Sequence, residues 1–243
     1  MLTYRFIWGK NNKLGGGTLF INLHTHSTYS DGVSTMAEYA IKAKDLGHVC
    51  LVVTDHDYML KRTHLSPTII ESDEDYKLKQ EQFIQQIQEA KEVELVHGIG
   101  VIVGLEITIN MWTEALLFGQ VACIDWFNKR KDIRKDIDNG GYGLLKEFLN
   151  SHEHALILCH PYMEYVGNLY NPNFYEMFHG YEIKNSGHTW TEDQVKTLKD
   201  LIPNAKPFKN YDAHHLGQFG GECNEVDIYI GNEYELIKWI REG

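Results

Sequence analysis

Hydrophobic and polar positions in this chain form a repeating order of short apolar runs and longer segments with apolar residues three or four positions apart. The first apolar run covers 18–23, and a second covers 49–53. Between them, Thr35 and Glu38 have the spacing of a capping box, which predicts a helix that ends at Gly47. This strand–helix–strand order favours a parallel sheet with its functional site at the carboxyl edge.

Further strands are predicted from apolar runs rich in β-branched residues. One of them, over 100–109, carries a single charged residue, Glu106, at a position where an ordinary buried strand has none. A neighbouring run over 115–122 is expected to pair with it. The remaining runs lie at 155–159, 181–184, 206–211 and 226–230.

Further helices are predicted from apolar residues at helical spacing. Residues 59–75 predict an exposed loop, and the mixed charges over 129–138 predict a solvated helix or loop. Shorter helices are predicted over 142–150, over 232–241 and after a cap at Thr191. The longest helix is predicted over 73–96, with inward-facing residues at Phe83, Ile84, Ile87, Ala90 and Leu95.

Length and composition place these elements in one domain. A chain of 243 residues with 43% hydrophobic content can bury a full core, so we predict a single domain over 1–243, with its core over about 18–243 and a short N-terminal extension over 1–17. No apolar run approaches the roughly 20 residues that cross a bilayer, so no membrane span is predicted. The N-terminal residues lack the features of a signal peptide, and we expect a cytoplasmic protein. Four cysteines without CxxC spacing indicate neither a disulfide framework nor a thiolate zinc site.

The net charge of −11 argues against a protein that holds nucleic acid through an extended basic surface. Asp132, Asp136 and Asp138 closely follow the basic triplet at 129–131, so a solvated face is favoured there over a phosphate-binding patch. The charge does not exclude a small phosphorylated substrate, because bound metal ions would supply the positive field that the side chains lack. The sequence offers no basis for predicting an oligomeric state.

Residue types that bind metals follow the apolar runs. His24 and His26 are two positions apart and so point to the same side of an extended chain, and Asp31 follows five positions later. Each such residue taken alone has an ordinary structural explanation. Together they would bring acidic and imidazole groups to one sheet edge, where they would repel or desolvate one another without cations. The full set comprises His24, His26, Asp31, His56, Glu106, His160, Asp212 and His214.

Five segments carry these residues in order, namely LHTHSTYSDG, VTDHD, GLEIT, LCHPY and YDAH. Their content and order resemble the successive motifs of the PHP (polymerase and histidinol phosphatase) family, over about 20–217. The resemblance implies a distorted, TIM-like (β/α)7 barrel, that is, a PHP-type metallohydrolase domain. It also implies two or three divalent ions (Mn, Zn or Fe) at the carboxyl edge, and hydrolysis of a phosphoester by metal-activated water.

Carried over position by position, the resemblance assigns a role to each ligand candidate. His24 and His26 would bind one metal ion, supported by Asp212. Glu106 would bridge that ion to a second, which His160 would serve. A third ion would be held by Asp31, His56 and His214.

One position departs from the family pattern. The family usually has a histidine on the strand after the glutamate, and the matching position here is Leu116, which cannot bind a metal. Either the second site is weak or empty, or another side chain replaces the histidine. Glu114 is the first candidate, because it lies two positions earlier and so on the same strand face. Asn22 replaces an aspartate of the family, and we expect that change to affect only hydrogen bonding around the ligands.

Catalytic and substrate-binding candidates lie near the same edge. Asp55 would orient a ligand from outside the metal shell, and His188 could protonate a leaving oxygen. Lys184 and Asn185 follow a strand end and would contact the substrate, although Lys184 is nearly as well explained as a surface lysine. Weaker candidates on the loop after TDHD are Arg62 and His64.

The sequence therefore predicts a metal-dependent phosphoesterase that hydrolyses a phosphate mono- or diester of a small or nucleotide-derived substrate. Two alternatives stay open. One is hydrolysis of a non-phosphate ester or an amide bond, which a metal-hydroxide in a barrel also suits. The other is a metal-binding PHP-like module with weak or no catalysis, which Leu116 favours.

Overall fold

The computed structural model of the chain describes residues 18–58, 72–110, 113–161, 172–185 and 187–242. The strands within these ranges are β1 (Leu19–Ile21), β2 (Cys50–His56), β3 (Gly100–Asn110), β4 (Thr113–Phe118), β5 (Ala155–Leu158), β6 (Gly180–Lys184), β7 (Lys206–Lys209) and β8 (Asn224–Val226). The helices are α1 (Met36–Asp45), α2 (Asp73–His97), α3 (Gln120–Asp138), α4 (Gly143–Asn150), α5 (Pro172–Tyr175), α6 (Glu192–Leu201) and α7 (Glu233–Glu242).

A six-stranded sheet in the order β2-β3-β4-β5-β6-β7 forms the centre of this α/β fold. All neighbouring strands are parallel except β4, which is antiparallel to both β3 and β5. The prediction of a parallel sheet is therefore wrong for β4. The connection explains the difference, because only 111 and 112 separate β3 from β4, whereas a parallel pair needs a crossover of about a dozen residues or more.

The segment between β1 and α1 connects the two edges of this curled sheet. β1 itself pairs with β8 in antiparallel orientation, outside the six-stranded sheet. Phe20 forms a parallel bridge to His48, just before β2, and Thr25 forms one to Ala213, just after β7. The predicted strand over 18–23 is thus shorter than expected. Its continuation lies between the two edge strands of the sheet.

The two faces of the sheet differ, because side chains alternate along each strand. Leu51 and Val53 of β2 pack in the apolar core shared with α1, α2 and α3, whereas Val52 belongs to a second cluster on the inner face. His56 of β2 and Glu106 of β3 lie on that inner face, near the carboxyl ends of their strands. Below them is an apolar floor that includes Ile102, Leu116, Ile157, Phe208 and Ile237.

α2 corrects the predicted orientation of the longest helix. Phe83, Ile87 and Ala90 are buried as predicted, but Ile84 is 37% exposed and Leu95 is 69% exposed. At 3.6 residues per turn, the stripe set by positions 83, 87 and 90 continues to 93 and not to 95. The residue at 93 is a buried valine.

Two predicted strands end early. β4 stops at Phe118, and α3 begins after Gly119, whose φ is +123° and whose added Cβ would lie 2.5 Å from the carbonyl oxygen of Glu153. Only glycine fits this turn. The strand predicted over 226–230 ends at Val226, because that residue pairs with Leu19, the first residue of β1, and within the described residues no partner strand extends further.

Arg130 corrects the expectation that the basic triplet forms a solvated face. Lys129 is exposed, but Arg130 is only 1% exposed, and its Nε lies 3.2 Å from Oδ2 of Asp57. Trp126 Nε1 donates to the same oxygen at 2.7 Å. Because Asp57 directly follows the last residue of β2, this buried ion pair ties α3 to the end of that strand.

The four cysteines are free and buried. Among the helices in the described ranges, none is long and apolar enough to cross a membrane.

Candidate metal centre

His24 and His26 lie in the segment that joins β1 to α1, and both are fully buried. Their Nε2 atoms are 3.0 Å apart, so the two rings converge as the spacing predicts. The backbone N–H of His26 donates to the carbonyl oxygen of Ala213 at 2.8 Å, which holds the segment against the chain after β7. Asn22 supports the same turn, since its amide donates to the carbonyl of His24 and its Oδ1 accepts from the N–H of Tyr211. An ionised aspartate could not donate the first of these bonds.

Glu106 stands at the centre of the site and is fully buried on the inner face of β3. Its Oε2 lies 3.4 Å from Nε2 of His24 and 3.3 Å from Nε2 of His26. The same oxygen lies 2.9 Å from Nδ1 of His56, and Oε1 lies 2.9 Å from Nε2 of His160. One buried carboxylate therefore faces four imidazole rings.

Asp31 forms the outer side of the site. Its Oδ2 lies 3.2 Å from Nε2 of His214 and 3.7 Å from Nε2 of His56. Its Oδ1 lies 3.7 Å from Nδ1 of His26. The loop that carries Asp31 requires Gly32, because a Cβ there would lie 2.1 Å from the carbonyl oxygen of His26.

His160 and Asp212 follow β5 and β7 in unusual backbone conformations, with φ of +26° and +49°. Residues other than glycine seldom adopt positive φ, and such strain is concentrated at functional sites. The Asp212 carboxylate points into the site, where Oδ1 lies 3.2 Å from Nε2 of His26 and 3.5 Å from Nε2 of His24. The structure thus brings together all eight residues proposed as metal ligands. We call them the edge cluster: His24, His26, Asp31, His56, Glu106, His160, Asp212 and His214.

The donor atoms of the edge cluster have the spacing that divalent cations require. The distances among Nε2 of His24, Nε2 of His26 and Oδ1 of Asp212 are 3.0, 3.2 and 3.5 Å. Two ligand atoms bound to one cation at about 2.1 Å are separated by about 3.0–3.4 Å. Two buried atoms, Nδ1 of His56 and Oε2 of Glu106, lie 2.9 Å apart without hydrogen-bond geometry, and neither has another hydrogen-bond partner within the described residues. Imidazole nitrogen and carboxylate oxygen are donors for Mn, Fe and Zn, so the residues fit such ions.

Mutual charge stabilises the edge cluster in the metal-free chain. Burial lowers the pKa of His56, but the Glu106 carboxylate outweighs it and raises that pKa to about 10. The same balance of burial against Glu106 raises the pKa of His160 to about 9. For Asp212, burial raises the pKa, but the neighbouring rings of His24 and His26 bring it below its usual value. A bound cation would displace the protons that His56 and His160 carry at neutral pH.

Glu182 belongs to the site, although the sequence analysis did not select it. It is fully buried on β6, and its Oε1 lies 2.8 Å from Nδ1 of His24. The carboxylate also accepts from the backbone N–H of His160 and from the amide of Asn210, both at 2.9 Å. Because an ionised carboxylate only accepts, Nδ1 of His24 carries a hydrogen and Nε2 faces the edge cluster. A charge inside a buried strand, the feature that selected Glu106, was present at this position too.

Asp55 lies on the opposite face of β2 from His56, since adjacent strand residues alternate. Its two carboxylate oxygens accept from the backbone N–H and the hydroxyl of Ser27, each at 2.7 Å. It also accepts from the hydroxyl of Ser30, which lies 3.5 Å from Nδ1 of His26. This position fits an orienting role for Asp55 and not direct contact with a substrate.

The substrate-binding candidates and the candidate proton donor, His188, differ in what they contact. Asn185 is buried, and its amide donates to Oδ2 of Asp212 at 3.3 Å. Lys184 instead donates to Glu222 at 2.9 Å. His188 is exposed, and its ring packs edge-on against Trp190. Arg62 and His64 lie outside the described residues.

Comparison with known protein families shows which family this chain matches. The model of the PHP domain matches residues 22–217, which include every member of the edge cluster. The chain belongs to the PHP domain family. No curated protein matches it in a sequence comparison.

Solved structures share the fold of this PHP domain. A two-domain protein from Bacteroides vulgatus that contains a predicted PHP-like metal-dependent phosphoesterase gives a TM-score of 0.52 at 20% identity, over 83% of this chain and 54% of that one. This chain therefore spans about half the length of that protein. A protein from Bifidobacterium adolescentis, provisionally classed as a metal-dependent phosphoesterase, gives 0.55 at 13% identity over 91% and 96% of the two chains. An amidohydrolase from Chromobacterium violaceum with bound sulfate gives 0.52 at 13% identity over 92% and 97%.

Proposed function

We propose that this PHP domain is a metal-dependent phosphoesterase that hydrolyses a phosphate mono- or diester of a small or nucleotide-derived substrate. The observation that supports it best is the convergence of five imidazoles and three carboxylates in the edge cluster. Two or three divalent ions (Mn, Zn or Fe) bound there would activate water and neutralise charge on the phosphate oxygens. We also propose that the curled sheet and the segment after β1 belong to the distorted (β/α)7 barrel that the family resemblance implies.

The geometry divides the edge cluster into overlapping ligand sets. His24, His26 and Asp212 form one set, with ligand atoms all within 4.8 Å of one another. Glu106 faces this set through Oε2 and His160 through Oε1, so it would join neighbouring ions. A further set, on the outer side, contains His26, Asp31, His56 and His214.

The remaining candidates would act around the ions. Asn185 would hold Asp212 in place and meet the substrate from the rim. Lys184 would contact a phosphate oxygen after leaving Glu222, and its 31% exposed side chain has room to do so. His188 would have to turn away from Trp190 before it could donate a proton to a leaving oxygen. Asp55 would keep its orienting role.

A direct test combines metal reconstitution with a substrate panel. Chelator-treated protein would be supplied with Mn²⁺, Zn²⁺ or Fe²⁺ and assayed on phosphate mono- and diesters. We expect turnover that requires metal and falls at least 100-fold in His24→Ala and Asp212→Ala, because each removes a ligand that other groups cannot replace. His215→Ala, an exposed histidine next to the edge cluster, serves as the matched control. Equal rates in His24→Ala and the control would contradict the proposal.

Because one structural neighbour is an amidohydrolase, hydrolysis of esters and amides should be tested beside hydrolysis of phosphoesters. The same panel should therefore contain carboxylic esters and amides, since metal-activated water attacks those carbonyl groups as well. Turnover of amides alone would favour the second activity. Firm metal binding without turnover of any substrate would favour a binding module.

A further inference from the structure

The direction of β4 decides which of its residues reach the edge cluster. Because β4 is antiparallel to β3, its first residues lie at the edge where β2 and β3 end. The register pairs Glu106 with Leu116 and Thr108 with Glu114. Side chains two apart share a face, so Glu114 and Leu116 both lie on the inner face, and Glu114 is nearer the edge.

Leu116 is part of the apolar floor. It is fully buried in one cluster with Ile102, Ile157 and Phe118. Its strand neighbours across the sheet are Glu106 on one side and Ile157 on the other. Leu116 is level with Glu106 in the register, but its side chain packs into the apolar floor and offers no ligand atom, so another residue of β4 is the candidate ligand.

Glu114 lies two positions nearer the edge than Leu116, and its carboxylate approaches the ligands His56 and Glu106. Its Oε1 lies 4.0 Å from Nδ1 of His56 and accepts from the hydroxyl of Thr108 at 3.4 Å. His56, Glu106 and Glu114 offer ligand atoms that all lie within 4.8 Å of one another. Nδ1 of His56 and Oε2 of Glu106, the two buried atoms noted above, lie 2.9 Å apart in this group.

Glu106 and Glu114 place two carboxylates within 4.8 Å of each other. Two carboxylates that face one small space repel each other unless a proton or a cation lies between them. A divalent ion would remove that repulsion.

We propose that Glu114 is a metal ligand in this chain, which lacks the family's histidine, and that it binds a divalent cation together with Nδ1 of His56 and Oε2 of Glu106. This inference rests on the metal-dependent function proposed above. Two carboxylates and one imidazole form a harder ligand set than one carboxylate and two imidazoles. This set therefore shifts relative affinity from Zn²⁺ towards Mn²⁺.

The test is a metal-binding measurement on three variants of the full chain. Glu114→Gln keeps the size and the acceptor for Thr108 but removes the charge. Glu114→His restores the family's ligand type, and Leu116→Met is the matched control on the same strand face. Chelator-treated proteins would be dialysed against graded Mn²⁺ or Zn²⁺, and bound metal per chain would be measured by mass spectrometry. Circular dichroism in chelator would establish that each variant is folded.

We expect Glu114→Gln to bind one Mn²⁺ fewer per chain, or to bind its last ion at least about tenfold more weakly, since even outer partners of ligands cost that much. Glu114→His should keep the number of ions and increase the preference for Zn²⁺, and Leu116→Met should match the wild type. Wild-type stoichiometry and affinity in folded Glu114→Gln would overturn the inference.

Failure of the broader function has a different signature. If Glu114→Gln loses an ion while the wild type turns over no phosphoester, the ligand assignment stands and the phosphoesterase proposal fails. If the wild type itself binds no divalent cation, the inference is overturned together with the metal-dependent function.

Discussion

Glu182 determines which ring nitrogen of His24 faces the edge cluster, although Glu182 is not itself one of the eight proposed ligands. It receives hydrogen bonds from the ring of His24, the backbone N–H of His160 and the amide of Asn210. These three donors occupy most of the acceptor sites of a carboxylate, which has about four. Glu106 and Glu182 gave the same sequence signal, a charge inside a buried strand. Only Glu106 also lies in one of the segments that resemble the family motifs, GLEIT.

We predict that Glu182→Gln weakens metal binding by about 10- to 100-fold, the usual effect of losing a partner of a metal-bound histidine. Glutamine has one acceptor oxygen and one NH₂ group, so the NH₂ must face a donor at one of the positions where Glu182 accepts. Competition with a fluorescent chelator measures the affinity.

Glu225→Gln removes the same charge at an exposed site outside the edge cluster and is the control. An unchanged affinity in Glu182→Gln, with the fold intact, would show that His24 does not depend on this carboxylate.

At the scale of elements, α3 is held to the end of β2 by the buried pair of Arg130 and Asp57. Asp57 also accepts from the indole of Trp126 at 2.7 Å and from the backbone N–H of Thr108 at 3.3 Å. The helix therefore contacts both strands that carry His56 and Glu106. A burial this deep could not be foreseen from a basic triplet followed by aspartates. It depends on which face of α3 meets the sheet.

We predict that Arg130→Met lowers the free energy of unfolding by about 3–5 kcal/mol, because it leaves the Asp57 carboxylate buried without its cation. The double variant Asp57→Asn with Arg130→Met should recover part of this loss, since no uncompensated charge remains. Urea unfolding measures both. Lys129→Met, an exposed neighbour on the same helix, should change stability by less than about 0.5 kcal/mol. A loss as small as this in Arg130→Met would contradict the prediction.

At the scale of the whole molecule, protonation of the edge cluster links stability to pH. The pKa of His56 is raised from 6.5 to about 10, and that of His160 from 6.5 to about 9. Their stabilisation is complete below about pH 6.5 and is lost as the pH rises through those values. The pKa values of Asp31 and Asp212 are lowered from 3.8. Their stabilisation is present above about pH 4 and is lost as the pH falls below it.

We predict that chelator-treated protein is most stable in mildly acidic solution and that its urea midpoint falls between about pH 6.5 and pH 10. Saturating Mn²⁺ should raise the midpoint and abolish most of the alkaline loss, because the cation takes over the role of the protons. Urea titrations at several pH values, with chelator or with Mn²⁺, test this. A urea midpoint of the chelator-treated protein that rises steadily with pH would contradict the prediction.

The sequence by itself determined the features that depend on local patterns. Short apolar runs placed the strands of an α/β fold, and residue types near their ends, together with the family motifs, indicated the eight members of the edge cluster. The spacing of His24 and His26 determined that their rings converge. Such features follow from neighbours a few positions apart, where backbone geometry is nearly the same in any fold.

Only the tertiary structure decided the features that depend on sheet order and strand direction. The partner of His24, Glu182, lies 158 positions away in the chain. The antiparallel direction of β4 places Glu114 at the edge and Leu116 in the floor. Periodicity shows which residues share a face but not which end of a strand meets the site. That choice is made when connections of different length pair the strands.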